Sequence, residues 1–346
     1  MKTLYDISWK VSEEEYRKDK SYSYSTLAKF NREGFYKLNS LFDKVESSSL
    51  TFGSMVDVLL TDGKEEFDKL FFVTDFPELS ESMVDIVNRT FPIFKDKYAE
   101  FNEIPDEEIS KIGKEVGFWA KDNWDNVRAK KIKAEKCYQL YNLFYLAEGK
   151  KVVSTEEYSE ALLCCNILKD SPYTKWYFSP NDPFTPTVER FYQLKFKGEY
   201  NNIPLRIMAD LIIVDHENRT IIPCDLKTSY KPETEFYKSF VEWRYVIQSQ
   251  LYWEIINQNI KNDPIYKDYT LLDYRFIVIS KGTKTPLVWE FTGTQSDLDF
   301  TYGKYKNTIP NWRKIVTLLD YYLKNENKYP VGYSELNNIE QFLNNE

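Results

Sequence analysis

The chain has 346 residues, 42% of them hydrophobic and 29% charged, with a formal net charge of −8 at pH 7. A chain of this length and composition can bury a sizeable core, which argues against global disorder. The acidic balance disfavours a polyanion-binding surface over the whole molecule, although a local basic groove or a bound divalent cation can reverse the sign at one site. The sequence has no signal-peptide core and no apolar run of membrane-spanning length, so we expect a cytoplasmic protein without membrane contact.

Apolar residues recur at helical spacing through much of the first half of the chain. The helices predicted from this spacing are 25–41, 49–72 and 118–149. Ser154 followed by Glu157 matches a capping box, which marks the start of a further helix. We therefore expect residues 1–170 to be mainly helical.

One predicted helix carries a cluster of cations. Its members are Arg128, Lys130, Lys131, Lys133 and Lys136. A run of charges on a helix is usually a solvated face, so we prefer that interpretation to a contact with DNA.

After Pro186 the pattern changes to short runs with the alternation typical of strands. The predicted strands are 187–198, 203–215, 220–228, 274–281 and 285–291. One helix is predicted over 235–259 and another near 296–327. This order predicts an α/β (α+β) fold with a central mixed sheet flanked by helices. We expect a single domain whose parts are the helical region 1–170, the sheet and its helix at 186–292, and a C-terminal helix and tail at 293–346.

Cysteine and histidine usage argues against several kinds of site. The cysteines Cys137, Cys164, Cys165 and Cys224 fit no zinc or iron–sulfur spacing, so buried free thiols are expected. The single histidine, His216, lies in a predicted turn, where a solvated role is favoured over catalysis. We therefore expect no hydrolase of the Ser-His-Asp or Cys-His type, and no glycine pattern indicates a nucleotide-binding loop.

The stretch RIMADLIIVDHENRTIIPCDLKTSY, at 206–230, places two acids and a lysine where paired strands should carry aliphatic residues. Because strand side chains alternate, Asp225 and Lys227 share one face. The turn between the two predicted strands can bring Asp210 close to Asp225. The sequence therefore predicts that two carboxylates and an ammonium converge at one place on the sheet.

A semi-buried salt bridge explains only one of these two acids, because an extra buried charge costs several kcal/mol unless something compensates it. A divalent cation provides that compensation. Two carboxylates, together with waters and substrate phosphates, suit Mg²⁺ or, in its place, Mn²⁺. Lys227 can then stabilise charge at the scissile phosphate or orient the attacking water.

This arrangement resembles the PD-(D/E)XK nuclease motif, with Asp210 as the first acid and Asp225, Leu226 and Lys227 as its D-L-K half. Ala209 stands where the family usually has proline. The resemblance implies a restriction-endonuclease-like sheet for this part of the chain.

Further likenesses point to the RecE-like branch, which includes exonuclease VIII and RecB-type domains. Gln248 and Tyr252 have Q-x-x-x-Y spacing, which places both on one helix face. The stretch LTFGSMVDVLLTD is similar to a family helix, with Asp57 where the family commonly has histidine. Glu189 matches an acid that often opens the first strand. The stretches YSYSTLAKF and YPVGYSE resemble the two ends of the family domain.

The resemblance implies a Mg²⁺-dependent exonuclease that acts 5′-to-3′ on double-stranded DNA ends in phage or bacterial recombination. The implied metal ligands are Asp57, Asp210, Asp225 and the carbonyl of Leu226. The implied catalytic group is Asp210, Asp225, Lys227, Gln248, Tyr252 and Glu189. A single-strand annealing protein is the implied partner, and the bacterial host cytoplasm the implied location if a phage encodes the chain.

Two alternatives stay open at this stage. The near alternative is an endonuclease or RNase on the same fold. The distant one is a non-catalytic nucleic-acid-binding or regulatory module, which the net charge of −8 and the aspartate at Asp57 keep open. The intact set of Asp210, D-L-K and Q-x-x-x-Y argues against it. Homo-oligomer formation is also left open.

Overall fold

The structure, a computed structural model, describes residues 3–43, 48–75, 78–182, 184 and 187–325. The stretch YPVGYSE and the rest of the predicted C-terminal tail lie outside the described residues.

The strands, in chain order, are β1 (Phe71–Val73), β2 (Lys151–Val153), β3 (Val188–Tyr200), β4 (Ile203–Asp215), β5 (Thr220–Ser229), β6 (Thr270–Leu271), β7 (Tyr274–Ser280), β8 (Pro286–Phe291), β9 (Phe300–Tyr302) and β10 (Asn307–Ile309). The α-helices are α1 (Leu4–Ile7), α2 (Glu13–Lys18), α3 (Tyr24–Glu33), α4 (Ser48–Thr61), α5 (Lys64–Leu70), α6 (Glu81–Phe94), α7 (Asp106–Glu115), α8 (Asp125–Ala134), α9 (Cys137–Leu146), α10 (Thr155–Asp170), α11 (Phe236–Glu242), α12 (Tyr245–Lys261) and α13 (Trp312–Lys324).

The central sheet has the strand order β3–β4–β5–β7–β8, and β6 also pairs with β5. Strands β5 and β7 are parallel, whereas β3–β4, β4–β5 and β7–β8 are antiparallel. Helices α3, α11, α12 and α13 contribute side chains to the main core beside the sheet. The predicted α/β fold, with a central mixed sheet flanked by helices, is confirmed.

The middle of β4 shows why these segments form a buried sheet. Its Leu-Ile-Ile-Val run at 211–214 is fully buried, so both faces of the strand are covered. β-Branched side chains fit such a strand because their restricted rotamers pack well on a pleated surface. The helix α12 covers part of this sheet, and its buried positions include Ile247, Leu251 and Ile255.

The chain forms two compact units. One joins the N-terminal 61 residues to the chain from Cys164 onward, and the other spans Asp62–Leu163. The second unit has its own apolar core, whose fully buried members include Ile86, Val87, Phe101, Ile104, Ile109, Ile132 and Tyr141. That the whole chain works as a single nuclease domain stays a prediction.

The cation cluster on α8 is only partly the solvated face that the sequence predicted. Arg128 is fully buried and donates to the carbonyl oxygens of Trp119 and Lys121 at 2.6 and 2.9 Å. Lys133 donates to the Ile104 carbonyl at 2.6 Å, so it also ties the fold together. The remaining members, Lys130, Lys131 and Lys136, are exposed. The prediction was wrong for Arg128 because loop carbonyls satisfy its guanidinium internally.

Helix α10 confirms two expectations. The Ser154 hydroxyl accepts the Glu157 N–H at 3.1 Å, while the Ser154 N–H donates to the Glu157 carboxylate at 3.2 Å, which is the predicted capping box. The cysteines on this helix are buried, as are the other two, and none of the four forms a disulfide. Among the helices within the described ranges, none combines the length and apolar character needed to cross a membrane.

Candidate active site

Strands β4 and β5 separate at Asp210. Their pairing runs from Asp215 opposite Thr220 to Leu211 opposite Cys224 and ends there. Asp210 lies one residue past the last pair, and its Oδ2 accepts the backbone N–H of Leu226 at 2.9 Å. The carboxylate therefore occupies the fork between the two strands and binds a donor that the β4–β5 ladder leaves open.

Asp225 lies on the next strand and is 1% exposed. Its Oδ1 accepts a hydrogen bond of 2.5 Å from Nε2 of Gln248 on α12. Its Oδ2 forms an ion pair with Nζ of Lys227. Nζ of Lys227 also lies 4.8 Å from the ring centre of Tyr245. The predicted sharing of one face by Asp225 and Lys227 thus becomes a direct contact.

The charges of the site do not balance. Burial raises the pKa of Asp210 well above its ordinary value, and repulsion from Asp225 and Asp57 raises it further. Lys227 and the Leu226 N–H oppose this rise without cancelling it. For Lys227, burial lowers the pKa, but Asp225, Tyr245 and Asp210 outweigh burial and the net shift is upward. The Asp210 carboxyl is thus acted on by two further carboxylates and one ammonium, and the net effect raises its pKa.

Gln248 and Tyr252 lie one helical turn apart on α12, as their spacing predicts. Gln248 is 4% exposed and holds Asp225, while Tyr252 is 7% exposed and packs in the main core. Burial raises the pKa of Tyr252 well above its ordinary value, with further contributions from Tyr16, Asp225 and Asp210. Gln248 thus holds one carboxylate directly, Tyr252 packs in the core one turn further along, and both expose little surface.

Asp57 reaches the site from α4. Its Oδ2 accepts a hydrogen bond of 2.6 Å from Nε2 of Gln193, and its charge acts on Asp210. Helix α4 approaches β5 closely at Gly53, where an added Cβ would lie 3.3 Å from Oγ1 of Thr228. The glycine one turn before Asp57 therefore lets the helix come near the sheet.

Two residues that the sequence did not single out belong to this group. Gln193 bonds Asp57, and Tyr245 faces the Lys227 ammonium. Tyr245 precedes Gln248 by three residues on α12, so a helix-face argument could have found it. Gln193 lies in a predicted strand with no motif around it, and only the pairing of β3 with β4 brings it to the site.

Glu189 is not brought to the carboxylate group. It lies opposite Val214, four residues along the sheet from Asp210, which corresponds to roughly 13 Å of strand. Its Oε2 is 2.6 Å from Nε2 of His216, whose Nδ1 is 2.9 Å from the hydroxyl of Tyr269. His216 lies in the predicted turn and is partly exposed, but it is not simply solvated, because both ring nitrogens have protein partners.

The donor set suits a divalent cation in its chemistry, but the carboxylates are not gathered around a common point. Within the ranges that the structure describes, no group of three or more His, Cys, Asp or Glu side chains is close enough to hold a metal ion. The side-chain oxygen of Gln248 is buried beside Asp225 and accepts no hydrogen bond from the described residues. Asp210 and Asp225 with waters and substrate oxygens would match the way proteins usually bind Mg²⁺, through one or two carboxylates.

No protein-family model matches this chain, and no curated protein matches it. Among solved structures, the chain is similar to the crystal structure of a protein from Eubacterium rectale described as a "putative exonuclease", with 14% sequence identity and a TM-score of 0.45. The match covers 93% of this chain and 89% of that chain. The functional conclusion for this chain rests on its own side chains.

Proposed function

We propose that this chain is a metal-dependent nuclease that hydrolyses phosphodiester bonds at the fork between β4 and β5. The observation that carries the proposal is the half-buried Asp210 in that fork, next to the Asp225–Lys227 pair. An ion pair alone accounts for Asp225 and Lys227. The ion pair does not explain why a second carboxylate, that of Asp210, lies beside it. Placing two carboxylates close together costs free energy that a bound cation or a proton would offset.

In this scheme Asp210, Asp225 and the Leu226 carbonyl would hold one or two Mg²⁺ or Mn²⁺ ions, and Asp57 would be a further ligand. The bound cation supplies Lewis-acid stabilisation of the phosphoryl oxygen. A cation held there would offset the repulsion that Asp225 and Asp57 exert on Asp210 and would favour its ionised form.

Lys227 exchanges its partner during the reaction. Its ammonium leaves Asp225 for the attacking water or the scissile phosphate, where it stabilises the developing negative charge. Gln248 keeps Asp225 in place through the other carboxylate oxygen, and Tyr252 packs in the core one turn further along α12. Glu189 has no part in this scheme, because it lies near the start of β3 and its carboxylate is hydrogen-bonded to His216.

We infer the substrate from the motif set Asp210, D-L-K and Q-x-x-x-Y. It favours double-stranded DNA ends degraded 5′-to-3′ in phage or bacterial recombination, with a single-strand annealing protein as partner. An endonuclease or RNase is the alternative on the same fold. A non-catalytic binding module is disfavoured, because the acids, the lysine and the glutamine of the motif lie together.

Digestion of labelled nucleic acid tests the proposal. Linear duplex DNA labelled at either end, closed circular DNA and RNA are incubated with the protein in Mg²⁺ and in EDTA. The proposal predicts Mg²⁺-dependent release of the 5′ label from linear DNA and an intact circle. An opened circle would identify an endonuclease, and degradation of RNA alone an RNase. If no substrate is cleaved in either Mg²⁺ or Mn²⁺, the chain is not a nuclease.

A further inference from the structure

Gln193 interrupts the pairing of β3 with β4 at one position. Tyr192 pairs with Leu211 and Leu194 with Ala209, so the residue opposite Gln193 is Asp210, yet these two do not pair. Gln193 has a φ of +52°, which is uncommon for any residue other than glycine. Backbone strain of this kind is often found at functional sites, where the surrounding structure maintains it.

The interruption also changes which side chains of β4 face the main core. Before it, the core residues are Leu205, Ile207 and Ala209; after it, they are Ile212 and Val214. The simple alternation of a strand therefore shifts by one position at Asp210. Gln193, with its positive φ, lies on β3 directly opposite Asp210. The change of side-chain alternation in β4 therefore coincides with the unusual backbone conformation in β3.

The side chain of Gln193 joins this point to α4. Its Nε2 donates to Oδ2 of Asp57 at 2.6 Å, across 136 positions of sequence. An amide fixes the carboxylate without neutralising it, whereas a lysine or arginine in the same place would compete with a cation for its charge. Gln193 thus fixes the orientation of the Asp57 carboxylate. The hydrogen bond does not neutralise the charge of Asp57, which acts on Asp210.

We propose that Gln193 is a positioning residue for the metal site, which orients the Asp57 carboxylate toward Asp210 through this hydrogen bond. The inference rests on the proposed function, because it assigns Gln193 to the cofactor of that same nuclease. Partners that orient a metal ligand commonly change metal affinity by about 10- to 100-fold when they are removed.

The surroundings of Gln193 allow the idea to be tested by substitution. Gln193 lines a cleft of about 310 Å³, together with the N-terminal stretch from Tyr5 to Val11 and with Lys195. The residue therefore borders open space, and a shorter side chain there breaks the hydrogen bond to Asp57. Asparagine is the best choice, since it keeps the amide and tolerates positive φ, but is one methylene too short to reach Asp57.

The experiment measures Mg²⁺ and Mn²⁺ binding without DNA, by calorimetry, in Gln193→Asn, Asp57→Asn and the double variant. We expect Gln193→Asn to bind the metal roughly 10-fold or more weakly and to add little in the Asp57→Asn background, because it acts through Asp57. Lys306→Gly is the matched control: it replaces another positive-φ residue, exposed in the β9–β10 turn, and should keep wild-type affinity.

Thermal unfolding shows whether each variant is folded, and Gln193→Gly replaces Gln193→Asn if that variant is not. Wild-type metal affinity in a folded Gln193 variant would overturn the inference and leave the proposed function standing. Additive losses in the double variant would also overturn it, because Gln193 would then act independently of Asp57. If the wild-type protein itself binds neither cation, the proposed function and the inference are both wrong.

Discussion

Gln248 and Lys227 hold opposite oxygens of the same buried carboxylate. Gln248 reaches Oδ1 of Asp225 from α12, and Lys227 reaches Oδ2 from the same strand as Asp225. A helix and a strand thus fix one side chain from two directions. The amide contact is an uncharged donor to the carboxylate, whereas the ammonium contact is an ion pair.

Gln248→Leu should lower both stability and turnover. The change leaves a buried carboxylate oxygen without its donor, which costs about 1–3 kcal/mol in the free energy of unfolding. Turnover should fall with it, because Asp225 loses one of its two constraints. Urea unfolding and initial cleavage rates measure the two effects.

Gln250→Leu is the matched control for that change. Gln250 is also buried on α12, but it donates to the carbonyl oxygens of Gly293 and Ser296, away from the carboxylates. It should lose stability and retain its turnover per folded molecule. Equal losses of turnover in the two variants would mean that Gln248 is only a structural residue.

Lys227→Ala should act on turnover more than on affinity for DNA. An ammonium that stabilises the transition state contributes to kcat, and loss of one such group costs about 10²-fold or more. Single-turnover cleavage and DNA-binding titrations separate the two quantities, with Lys238→Ala on the exposed face of α11 as a control. A variant that loses only DNA affinity would make Lys227 a phosphate clamp.

Substitution of Asp57 tests its proposed role as a metal ligand, at a position where the RecE-like sequences that this stretch resembles commonly have histidine. An aspartate adds negative charge and favours oxygen-preferring cations. We expect Asp57→Ala to need much more Mg²⁺ for cleavage, and Asp57→His to recover part of the activity with Mn²⁺. Cleavage is followed while each metal is titrated, and metal curves that superimpose on wild type in both variants would remove Asp57 from the site.

The raised pKa of Asp210 predicts how the metal-free protein responds to pH. Because the pKa in the folded state lies well above the ordinary value of 3.8, the protonated form is favoured by folding. This contribution is fully present below about pH 4 and is lost as the pH rises toward the raised pKa. Asp210→Asn cannot ionise, so its unfolding free energy should fall less over that window.

Urea unfolding in EDTA, from about pH 4 upward, measures the difference between wild type and Asp210→Asn. Asp215→Asn, on the same strand, is the control, because the Asn218 N–H lowers the pKa of Asp215. Its contribution is present above about pH 4 and is lost only as the pH falls, so the sign is opposite. Parallel profiles for wild type and Asp210→Asn would show that Asp210 is not crowded by its neighbours.

Local patterns were sufficient to predict the fold class and the arrangement around the D-L-K strand. Strand alternation placed Asp225 and Lys227 together, and helical spacing placed Gln248 and Tyr252 on one face of α12. Both rules act over a few residues and need no tertiary information.

Features that depend on contacts across the chain could not be predicted in this way. Gln193 meets Asp57 only because the register of β3 with β4 and the approach of α4 bring them together. Glu189 was predicted to join the catalytic group because it opens a predicted strand. The register of β3 with β4 instead places it four residues along the sheet from Asp210, where it contacts His216. The charge of Arg128 predicted a solvated side chain. The side chain is instead buried, and its guanidinium donates to the carbonyl oxygens of Trp119 and Lys121 in the preceding loop.

The central claim is that Asp225 is part of a cation site that cleaves DNA, and Asp225→Asn tests it most directly. The change removes a charge and keeps the shape, so thermal unfolding should show a folded protein. Calorimetry with Mg²⁺ and digestion of end-labelled linear duplex DNA are run on wild type and variant side by side. The account predicts binding and cleavage by wild type and loss of both in Asp225→Asn. Cleavage at the wild-type rate by the folded variant would contradict it.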